Sequence, residues 1–384
     1  MEYVSVVIGA SYGDEGKGLF TDYLVKNPIP AKMPNKKLPI AVVRFNGGAQ
    51  AGHTVTTDEG IRHVFHHFGS GTLRGAPTIL SRFFVVNPRL FLKEALELNA
   101  ITDKKISIFV DPDAPITTPF EVYINQEIEK ARGAFRHGSC GVGFGETLER
   151  EDKDFSLTMY DIASRGIKNK LEKIQNEWLP ARLKNLGLDP EFKLPENTID
   201  IFMEDINEFI KLVNIMPDTS AMNLFNHIVF EGAQGLRLDQ NSEDFPYVTR
   251  SNTGLENVSV LLENYNGEID VYYISRSYLT RHGAGPLKGE FPSPFYSVMD
   301  KTNVPNPYQG TLRFASLDFE RMANDVKKDK EHLAKDFNTY GVMTWCNVIG
   351  NEILDTLVNN FSNAIDAKNI YLSYSPVAEK MMVR

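Results

Sequence analysis

Few cysteines, few basic residues and the absence of a long apolar run limit what this chain of 384 residues can be. Cys140 and Cys346 are the only two cysteines, which excludes a disulfide framework and favours a reducing compartment. Lysine and arginine total 41 against 50 acidic residues, and the net charge of -9 disfavours a broad nucleic-acid-binding surface. No apolar run approaches the roughly 18 residues of a membrane span, and no basic leader with a cleavage site precedes the first apolar run. We therefore expect a cytoplasmic protein without a membrane or nucleic-acid partner.

Short apolar runs alternate with helical patterns along most of the chain. The predicted strands are residues 4–8, 40–45, 79–86, 106–110, 228–230, 269–274, 341–344 and 370–373. The predicted helices are residues 90–98, 120–132, 160–186, 205–213, 319–337 and 352–367. Continuous apolar runs are typical of strands buried on both faces, and their alternation with helices predicts an α/β fold with a mostly parallel central sheet flanked by helices. Residues 152–226 are charged and helical in pattern, so we expect a helical insertion within a single domain spanning residues 1–384.

A glycine-rich turn at residues 13–18, Gly-Asp-Glu-Gly-Lys-Gly, lies between the first predicted strand and a helix-like segment. The backbone amides of such a turn, the helix N-terminus and a lysine together bind phosphate groups. The turn differs from the ordinary P-loop, because Gly18 stands where that motif has a serine or threonine that holds magnesium. Asp14 supplies a carboxylate instead, which can ligate magnesium or accept a proton. The predicted phosphate contacts are Gly13, Glu15, Gly16, Lys17 and Gly18.

Five further glycine-rich or polar segments are candidates for ligand binding, at residues 46–54, 137–146, 230–235, 247–253 and 280–286. Because ligands of open α/β sheets lie at the carboxyl ends of the strands, we expect the loops that follow strands to face one crevice. His53 is a candidate for proton transfer near neutral pH, and the Gln234 amide can pair with a purine edge. His63, His66 and His67 lie in a segment that alternates like a strand. Without clustered Cys, Asp or Glu partners, we interpret these three histidines as structural rather than as a zinc site.

In this order, the loops resemble those of adenylosuccinate synthetase, with matching motifs at residues 13–18, 47–54, 69–74, 230–235, 246–253 and 280–286. In that family a nucleoside triphosphate phosphorylates the 6-oxygen of a purine monophosphate, and the amino group of aspartate then displaces phosphate. The resemblance implies a P-loop-like adenylosuccinate synthetase fold, a homodimer and a magnesium ion. It implies that Asp14 takes the N1 proton and ligates magnesium, and that the Gly52 carbonyl is a second magnesium contact. His53 would act as general acid at the phosphoryl group, whose charge Lys17 would stabilise.

The resemblance also assigns residues to the two nucleotides and to aspartate. The purine monophosphate would contact Asp14, Gln50, Ala51, Gly52, Ser139, Cys140, Arg150, Gln234 and Thr249. L-Aspartate would contact Gln309, Gly310, Thr311 and Arg313, in a loop where the family's arginine-rich run is reduced to one arginine. The base of the triphosphate would contact Trp345, Asn347, Ser373, Ser375 and Pro376.

The predicted donor-base site departs from the family pattern. Adenylosuccinate synthetases read guanine with a Thr-Lys-x-Asp strand end, whose carboxylate accepts hydrogen bonds from guanine N1 and the 2-amino group. Residues 344–347 here are Thr-Trp-Cys-Asn, so a tryptophan replaces the lysine and an amide replaces the carboxylate. Because an amide pairs with an adenine edge, this change predicts ATP or dATP as the phosphoryl donor.

Other departures are similar to those of viral relatives that make 2-aminoadenine nucleotides from dGMP. Gln50 stands where the family usually has asparagine, and Ser139 and Cys140 stand where it has two threonines. Asp14 is retained, although some members of the viral branch carry serine there. We therefore predict a ligase that uses ATP or dATP to join L-aspartate to C6 of dGMP through a 6-phosphoryl intermediate. The product would be N6-succino-2-amino-2'-deoxyadenylate, made in the host cytoplasm if the chain is viral.

Two other functions are compatible with these motifs. The first is ligation of aspartate to IMP, with an unusual donor site. The more remote one is a nucleotide-binding switch without synthetic activity. A guanine switch needs an aspartate where this chain has Asn347, and the switch would leave His53 and the purine-binding loops without a role.

Overall fold

The computed structural model describes residues 1–27, 39–164, 166–291, 310–378 and 381–384. The strands are β1 (Tyr3–Gly9), β2 (Ile40–Arg44), β3 (His53–Thr56), β4 (Arg62–Phe65), β5 (Thr78–Leu80), β6 (Ile108–Val110), β7 (Asn214–Ile215), β8 (His227–Gly235), β9 (Glu268–Arg276), β10 (Leu279–Arg281), β11 (Glu290–Phe291), β12 (Arg313–Ala315), β13 (Asn338–Thr344), β14 (Ile370–Ser373) and β15 (Met381–Val383). The α-helices are α1 (Lys17–Lys26), α2 (Pro88–Ile101), α3 (Pro119–Arg132), α4 (Phe144–Glu151), α5 (Met159–Ile162), α6 (Ile167–Lys173), α7 (Leu179–Asn185), α8 (Thr198–Leu212), α9 (Asp218–Met222), α10 (Leu255–Leu261), α11 (Phe319–Glu331) and α12 (Asn351–Ile365).

A large sheet runs through the described part of the chain, in the order β15-β14-β13-β9-β1-β8-β2-β5-β6-β7. Every neighbouring pair in it is parallel except β14 and β15, which are antiparallel at one edge. The first strand lies in the middle, between β8 and β9. This architecture confirms the predicted mostly parallel central sheet. It also brings the carboxyl ends of β1, β2, β8, β9 and β13 to one edge, because those five strands are adjacent and parallel.

Both faces of the central strands are covered by helices, which explains their continuous apolar sequences. Val6 faces an apolar cluster that includes residues of α10, α11 and α12. Val7 faces the opposite side, where it packs with Phe20 and Leu24 of α1. A third cluster joins β5 and β6 to α2, α3, α6, α7 and α8. None of the helices in the described ranges combines the length and apolar character needed to cross a bilayer.

The segment predicted as a helical insertion, residues 152–226, contains α5 to α9 within its described part. Its helices pack on the cluster around β5 and β6, through residues such as Leu171, Phe202 and Phe209. Near its end, β7 pairs in parallel with β6 and extends the central sheet by one short strand. The segment is therefore joined to the sheet edge as well as packed against it.

Several predicted element bounds were wrong, for local reasons. The strand predicted at 79–86 ends at Leu80, because the Phe84 amide donates to the Ser81 carbonyl and turns the chain. The helix predicted at 160–186 is interrupted after α5, where Gly166, a poor helix former, precedes α6. The prediction also missed a small antiparallel sheet in the order β10-β12-β11.

Candidate active site

The glycine-rich turn after β1 has an unusual backbone. Gly13, Asp14 and Gly16 all have positive φ, at 96°, 61° and 100°. Glycine adopts this region freely, and aspartate is among the few other residues that tolerate it. The Glu15 carboxylate is buried, and it accepts hydrogen bonds from the Gly13 amide at 2.7 Å and the Ser11 amide at 3.1 Å. Glu15 therefore organises the turn with its side chain, so only its backbone is available for the predicted phosphate contact.

Lys17 begins α1 directly after this turn and is buried at its base. Its ammonium group donates to Glu15 Oε2 at 2.8 Å. The lysine therefore has a fixed carboxylate partner beside the N-terminus of a helix, which is the part of α1 that attracts anions.

Gly18, the main departure from the P-loop motif, is explained by its neighbours. A Cβ atom at this position would lie 3.0 Å from His53 Cβ, 3.0 Å from Ser70 Oγ and 3.2 Å from the Thr54 carbonyl oxygen. Those distances are tighter than ordinary van der Waals contacts. The hydroxyl residue of an ordinary P-loop is thus disfavoured because His53 Cβ, Ser70 Oγ and the Thr54 carbonyl oxygen occupy its place.

His53 begins β3 and is held by two acceptors on β8. Its Nδ1 lies 2.6 Å from Glu231 Oε1, and its Nε2 lies 3.2 Å from the Ala233 carbonyl oxygen. Only a ring with a proton on both nitrogens donates to both. Burial, however, lowers the pKa of His53. The Glu231 charge raises this pKa, whereas the positive charges of Arg44 and Lys17 lower it further. A proton on His53 is therefore well oriented but weakly held, which suits a group that donates it.

Glu231 is the centre of this network, although it is not among the predicted site residues. Ser70 donates to Glu231 with both its amide, at 3.0 Å, and its hydroxyl. Burial alone would raise the pKa of Glu231, but His53, Arg44 and the Ser70 hydroxyl together lower it to about 2. Glu231 is thus a buried carboxylate ion that orients His53. The available signal was an acidic residue directly after the apolar run at residues 228–230, within the motif at residues 230–235.

Next to the phosphate-binding turn, the structure brings together several residues predicted to contact the purine monophosphate. The Cys140 thiol donates to the Gln50 carbonyl oxygen at 3.8 Å. Burial raises the pKa of Cys140 to about 11, with a contribution from the charge of Asp14, so the thiol is protonated at neutral pH. Ser139 Oγ accepts from Asn125 Nδ2 at 2.7 Å. Residues 137–143 therefore lie against both the Asp14 and the Gln50 loops.

Two glutamines in this region have buried polar atoms without a partner in the described part of the chain. They are the amide oxygen and nitrogen of Gln50 and the amide oxygen of Gln234. Gln234 lies over Gly47, where an added Cβ would approach its amide oxygen to 3.2 Å. Buried polar atoms normally have hydrogen-bond partners, so these amides are suited to a polar ligand such as a purine.

The other residues predicted for the monophosphate have different environments. Ala51 accepts from His66 Nδ1 at 2.5 Å, which positions the backbone just before Gly52. Thr249 lies in a turn whose Ser251 hydroxyl accepts from the Gly47 amide at 3.4 Å. Both segments are thus next to the loop that follows β2.

Arg150 does not fit the predicted contact with a phosphate. Its guanidinium is fully buried and donates to Glu121 at 2.9 Å, to Glu151 at 2.7 Å and to the backbone carbonyls of Ile116 and Phe155. These partners use four of the five guanidinium N–H groups. Arg150 was predicted from its position in the chain, which does not reveal that the side chain points into the helical core.

The predicted aspartate-binding loop is only partly described, because Gln309 lies outside the described residues. Thr311 is exposed, and a Cβ on Gly310 would lie 3.6 Å from an Arg136 guanidinium nitrogen. Arg313, on β12, donates to the Gly285 carbonyl at 2.8 Å and pairs with Glu290. Arg313 therefore supports the loop after β10.

The predicted donor-base residues lie where β13 and β14 end, beside the phosphate-binding turn. Thr344 Oγ1 donates to the Glu15 carbonyl at 2.7 Å. Trp345 has a φ of 59°, and the Arg276 guanidinium lies 5.0 Å from its ring centre. Asn347 is exposed.

Two serines and a proline follow β14 in the same region. Ser373 Oγ donates to the Ser375 carbonyl at 2.8 Å, which forms a tight turn before Pro376. Residues 345–347 and 373–376 therefore follow two strands that are adjacent in the sheet.

The residues predicted for magnesium have the chemistry that this ion prefers. Magnesium is commonly bound by one or two carboxylates together with substrate phosphates, and Asp14 offers a partly exposed carboxylate beside the phosphate-binding turn. Gly52, the second predicted magnesium contact, is an exposed residue next to His53. No set of three or more His, Cys, Asp or Glu side chains suited to a metal was found in the described ranges. His63 and His67 instead face Glu94, at 3.7 Å and 3.4 Å.

Comparisons of sequence identify the family. The family model of adenylosuccinate synthetase matches residues 6–345. The adenylosuccinate synthetase of Picrophilus torridus is 31% identical over 339 residues, which are 85% of this chain and 75% of that relative. The synthetase of Microcystis aeruginosa is 30% identical over 294 residues, or 74% of this chain. That match spans 62% of the length of the Microcystis relative.

Solved structures share the fold. Fully ligated adenylosuccinate synthetase from Plasmodium falciparum superposes with a TM-score of 0.75 at 17% identity and covers all of both chains. Cyanophage S-2L succinoaminodeoxyadenylate synthetase (PurZ), bound to dGMP and dATP, gives a TM-score of 0.62 at 15% identity. It covers 100% of this chain and 95% of the cyanophage chain. The family match over most of the chain and the shared fold lead to one conclusion: this chain belongs to the adenylosuccinate synthetase family.

Proposed function

We propose that the protein is an ATP- or dATP-dependent ligase that joins L-aspartate to C6 of dGMP. The reaction would yield N6-succino-2-amino-2'-deoxyadenylate through a 6-phosphoryl intermediate. The observation that carries this proposal is Asn347, which lies exposed just beyond the end of β13, beside the phosphate-binding turn. The family membership supports the reaction class, and the site supports the choice of nucleotides.

The donor choice follows from hydrogen-bond chemistry. Guanine presents two adjacent donors, N1–H and the 2-amino group, which a carboxylate accepts with its two oxygens. The Asn347 amide has only one acceptor and also carries donors, so it leaves one guanine donor without a partner. An amide does match the adjacent donor and acceptor of an adenine edge. Trp345, two residues earlier, offers an aromatic face on which a base can stack.

The side chains around the glycine-rich turn suit the first chemical step. Asp14 would remove the N1 proton of the purine, which concentrates negative charge on O6. O6 then forms a bond to the γ-phosphorus, and the bond from that phosphorus to the β–γ bridging oxygen breaks. Lys17 and His53 stabilise the charge on the transferring group, while Glu231 keeps the His53 ring in position at 2.6 Å. Magnesium held by Asp14 and the Gly52 carbonyl would neutralise phosphate charge.

The second step joins aspartate to the activated purine. The amino group of aspartate forms a bond to C6, the bond from C6 to the phosphorylated oxygen breaks, and phosphate leaves with the proton that the amino group loses. Residues 310–313 would hold the carboxylates of aspartate, as the family resemblance implies. Arg136 lies close to Gly310 and could add a second cation there.

The alternative acceptor is IMP, since the relatives from Picrophilus torridus and Microcystis aeruginosa are adenylosuccinate synthetases. The buried amides of Gln50 and Gln234 are compatible with either purine, because both nucleotides carry the same O6 and N7 edge. The same fold holds dGMP and dATP in the cyanophage protein. The two acceptors differ only at C2 of the purine and at the 2'-hydroxyl of the sugar.

The test combines three donors with three acceptors. Purified protein is incubated with L-aspartate and magnesium, with ATP, dATP or GTP, and with dGMP, dIMP or IMP, and products are identified by mass spectrometry. We expect the succinylated product of dGMP with ATP and dATP. If IMP is converted and dGMP is not, the proposed acceptor is wrong and IMP takes its place. If turnover requires GTP and does not occur with ATP or dATP, the proposed donor is wrong.

The matched variant is Asn347→Asp, which restores a carboxylate at the proposed base contact. It should raise the ratio of kcat/KM for GTP to that for ATP by about 10-fold or more, given ~1–3 kcal/mol for a good bidentate base contact. The opposite variant, Asn347→Ala, should lower the use of ATP without improving the use of GTP. An unchanged donor ratio in Asn347→Asp would show that this residue does not contact the base.

A further inference from the structure

Helix α3 supports the loop at residues 138–143, which contains two of the residues predicted to contact the purine monophosphate. The Glu129 carboxylate on this helix is buried and accepts from two consecutive loop amides, those of Gly138 at 2.8 Å and Ser139 at 3.3 Å. On its other side the loop packs against the segment after β10, because a Cβ on Gly138 would lie 2.8 Å from Gly283 Cα. Contacts on two sides therefore fix the loop backbone at Ser139.

Asn125, one turn before Glu129 on the same face of α3, makes two hydrogen bonds to this loop. Its Oδ1 lies 3.1 Å from the Gly143 amide nitrogen, and its Nδ2 lies 2.7 Å from Ser139 Oγ. A backbone amide can only donate, so the end of the Asn125 side chain that faces Gly143 must be the oxygen. The end that faces Ser139 is therefore the NH2 group, and the backbone fixes the orientation of the Asn125 amide.

This orientation decides the role of the Ser139 hydroxyl. The Asn125 NH2 group can only donate, so the hydroxyl oxygen accepts from it and the hydroxyl hydrogen remains for another partner. Among the described residues, Ser139 has no partner to which its side chain donates. Ser139 is partly exposed, and the next residue, Cys140, contacts the Gln50 carbonyl of the neighbouring loop at 3.8 Å. The hydroxyl hydrogen is therefore available to a ligand bound between these loops.

We propose that Asn125 is a positioning residue that directs the Ser139 hydroxyl hydrogen at the phosphate of the purine monophosphate. The inference rests on the proposed function, in which a purine monophosphate binds beside this loop, and it applies to dGMP and IMP alike. Asn125 touches no substrate in this arrangement and acts only through Ser139.

A phosphate oxygen is the acceptor that gains most from such a hydroxyl. Hydrogen bonds to charged acceptors are roughly twice as strong as those between neutral groups. The hydrogen bond donated by Asn125 polarises the Ser139 hydroxyl, which strengthens the bond that the hydroxyl itself donates. The base has other partners nearby, because the Gln50 and Gln234 amides carry buried atoms without a partner in the described part of the chain. Ser139 is thus left for the phosphate end of the nucleotide.

Gln126, next to Asn125 on α3, offers a matched control. Its Nε2 donates to the Gly141 carbonyl of the same loop at 3.1 Å. Gln126→Glu therefore makes the same chemical change as Asn125→Asp, from an amide to a carboxylate with one added negative charge, against the same loop. The difference is that Gln126 contacts the loop backbone and not the Ser139 hydroxyl.

The test is a double-mutant cycle on nucleotide affinity. Asn125→Asp keeps an acceptor for the Gly143 amide but places an oxygen against Ser139, which reverses that hydrogen bond and turns the hydroxyl hydrogen away from the ligand. Asn125→Asp and Gln126→Glu are each made in the wild type and in Ser139→Ala. Dissociation constants for dGMP and for deoxyguanosine, which lacks the phosphate, are measured by isothermal titration calorimetry. Thermal unfolding checks that each variant is folded.

We expect Asn125→Asp to weaken dGMP binding by roughly 10- to 100-fold when Ser139 is present, the size of one hydrogen bond to a charged group. The loss should be several-fold smaller in Ser139→Ala, because the two residues act as a unit. Gln126→Glu should weaken dGMP binding equally in both backgrounds, since it acts only through its charge and the loop backbone. Deoxyguanosine should bind to the wild type and to Asn125→Asp with similar dissociation constants.

Two results would overturn the proposal. If Asn125→Asp lowers dGMP affinity equally in both Ser139 backgrounds, Asn125 acts through charge or loop stability alone. If dGMP and deoxyguanosine lose affinity by the same factor, the hydroxyl faces the base or the sugar and not the phosphate. Should Asn125→Asp not fold, the same cycle is run with Asn125→Ala, which removes the donor without adding a charge. Coupling to Ser139 is expected there too, and additive losses would refute the role of Asn125.

Failure of the proposed acceptor gives a different result. IMP and inosine are measured beside dGMP and deoxyguanosine. If the wild type converts IMP and not dGMP, the acceptor assignment is wrong, whereas coupling between Asn125 and Ser139 in IMP binding would retain the role of Asn125. If dGMP is converted and the coupling is absent, the role of Asn125 is refuted and the acceptor assignment stands.

Discussion

Replacing Glu231 with glutamine tests whether the buried network around His53 supports catalysis. The substitution preserves the shape of the side chain and removes its charge. In the wild type, Glu231 faces His53 Nδ1 at 2.6 Å and accepts from the Ser70 amide at 3.0 Å and from the Ser70 hydroxyl. In glutamine, one of the two carboxylate oxygens is replaced by an NH2 group, which donates and does not accept. The side chain can therefore no longer accept hydrogen bonds from both His53 and Ser70 with two oxygens. One donor of His53 or Ser70 would then face another donor.

The size of the effect follows from these contacts. Hydrogen bonds to charged groups contribute about 1.5–3 kcal/mol, and a buried donor left without an acceptor costs a further ~1–3 kcal/mol. Part of this free energy lowers the stability of the folded protein and does not affect the transition state of the reaction. A loss of about 2–4 kcal/mol of transition-state stabilisation corresponds to a decrease in kcat of roughly 30- to 1,000-fold. We expect KM values to change much less, because Glu231 contacts His53 rather than a substrate.

The assay measures kcat and KM for aspartate ligation together with thermal unfolding. The matched control is Glu94→Gln, which neutralises another buried carboxylate that faces two histidines, His63 and His67, at 3.7 Å and 3.4 Å. We expect Glu94→Gln to lower stability and leave kcat close to that of the wild type. The reasoning is refuted if Glu231→Gln keeps a kcat within about 3-fold of the wild type, a difference under ~1 kcal/mol. Equal decreases in both variants would point to general destabilisation instead.

Two further predictions concern other parts of the chain. Gly18→Ser restores the hydroxyl of an ordinary P-loop, but its Cβ would lie 3.0 Å from both His53 Cβ and Ser70 Oγ, so we expect lower kcat and a lower Tm; higher activity would contradict this explanation of Gly18. Burial lowers the pKa of His227 to about 4. The unfolded chain binds this proton near pH 6.5, so the free energy of unfolding should fall by about 3 kcal/mol between pH 6.5 and pH 4 on account of this group. Urea unfolding should show a weaker dependence over that range in His227→Asn, and identical curves for the two proteins would contradict the assignment.

The sequence alone determined the features that depend on local patterns. The apolar run of β1 followed by Gly-Asp-Glu-Gly-Lys-Gly predicted a strand, a phosphate-binding turn and a helix, and the structure has β1, that turn and α1 in this order. The alternation of buried strands and helices predicted the parallel sheet, because strands covered on both faces must be apolar throughout. The motif order also predicted the family. Each strand, helix and motif is read from residues that are close together in the chain, and the family follows from the order of the motifs.

Only the tertiary structure decided which side chains meet. Glu231 contacts His53 from 178 residues away, because β8 lies between β1 and β2 in the sheet. Arg150 points into a core of helices rather than toward the crevice, and no local pattern records that direction. The reason for Gly18 and the partner of Asp14 likewise come from His53, Ser70 and His282, which reach the site from other loops. A sequence pattern reports the period and chemistry of one segment, whereas the contacts between segments follow from strand order and packing, which are properties of the whole fold.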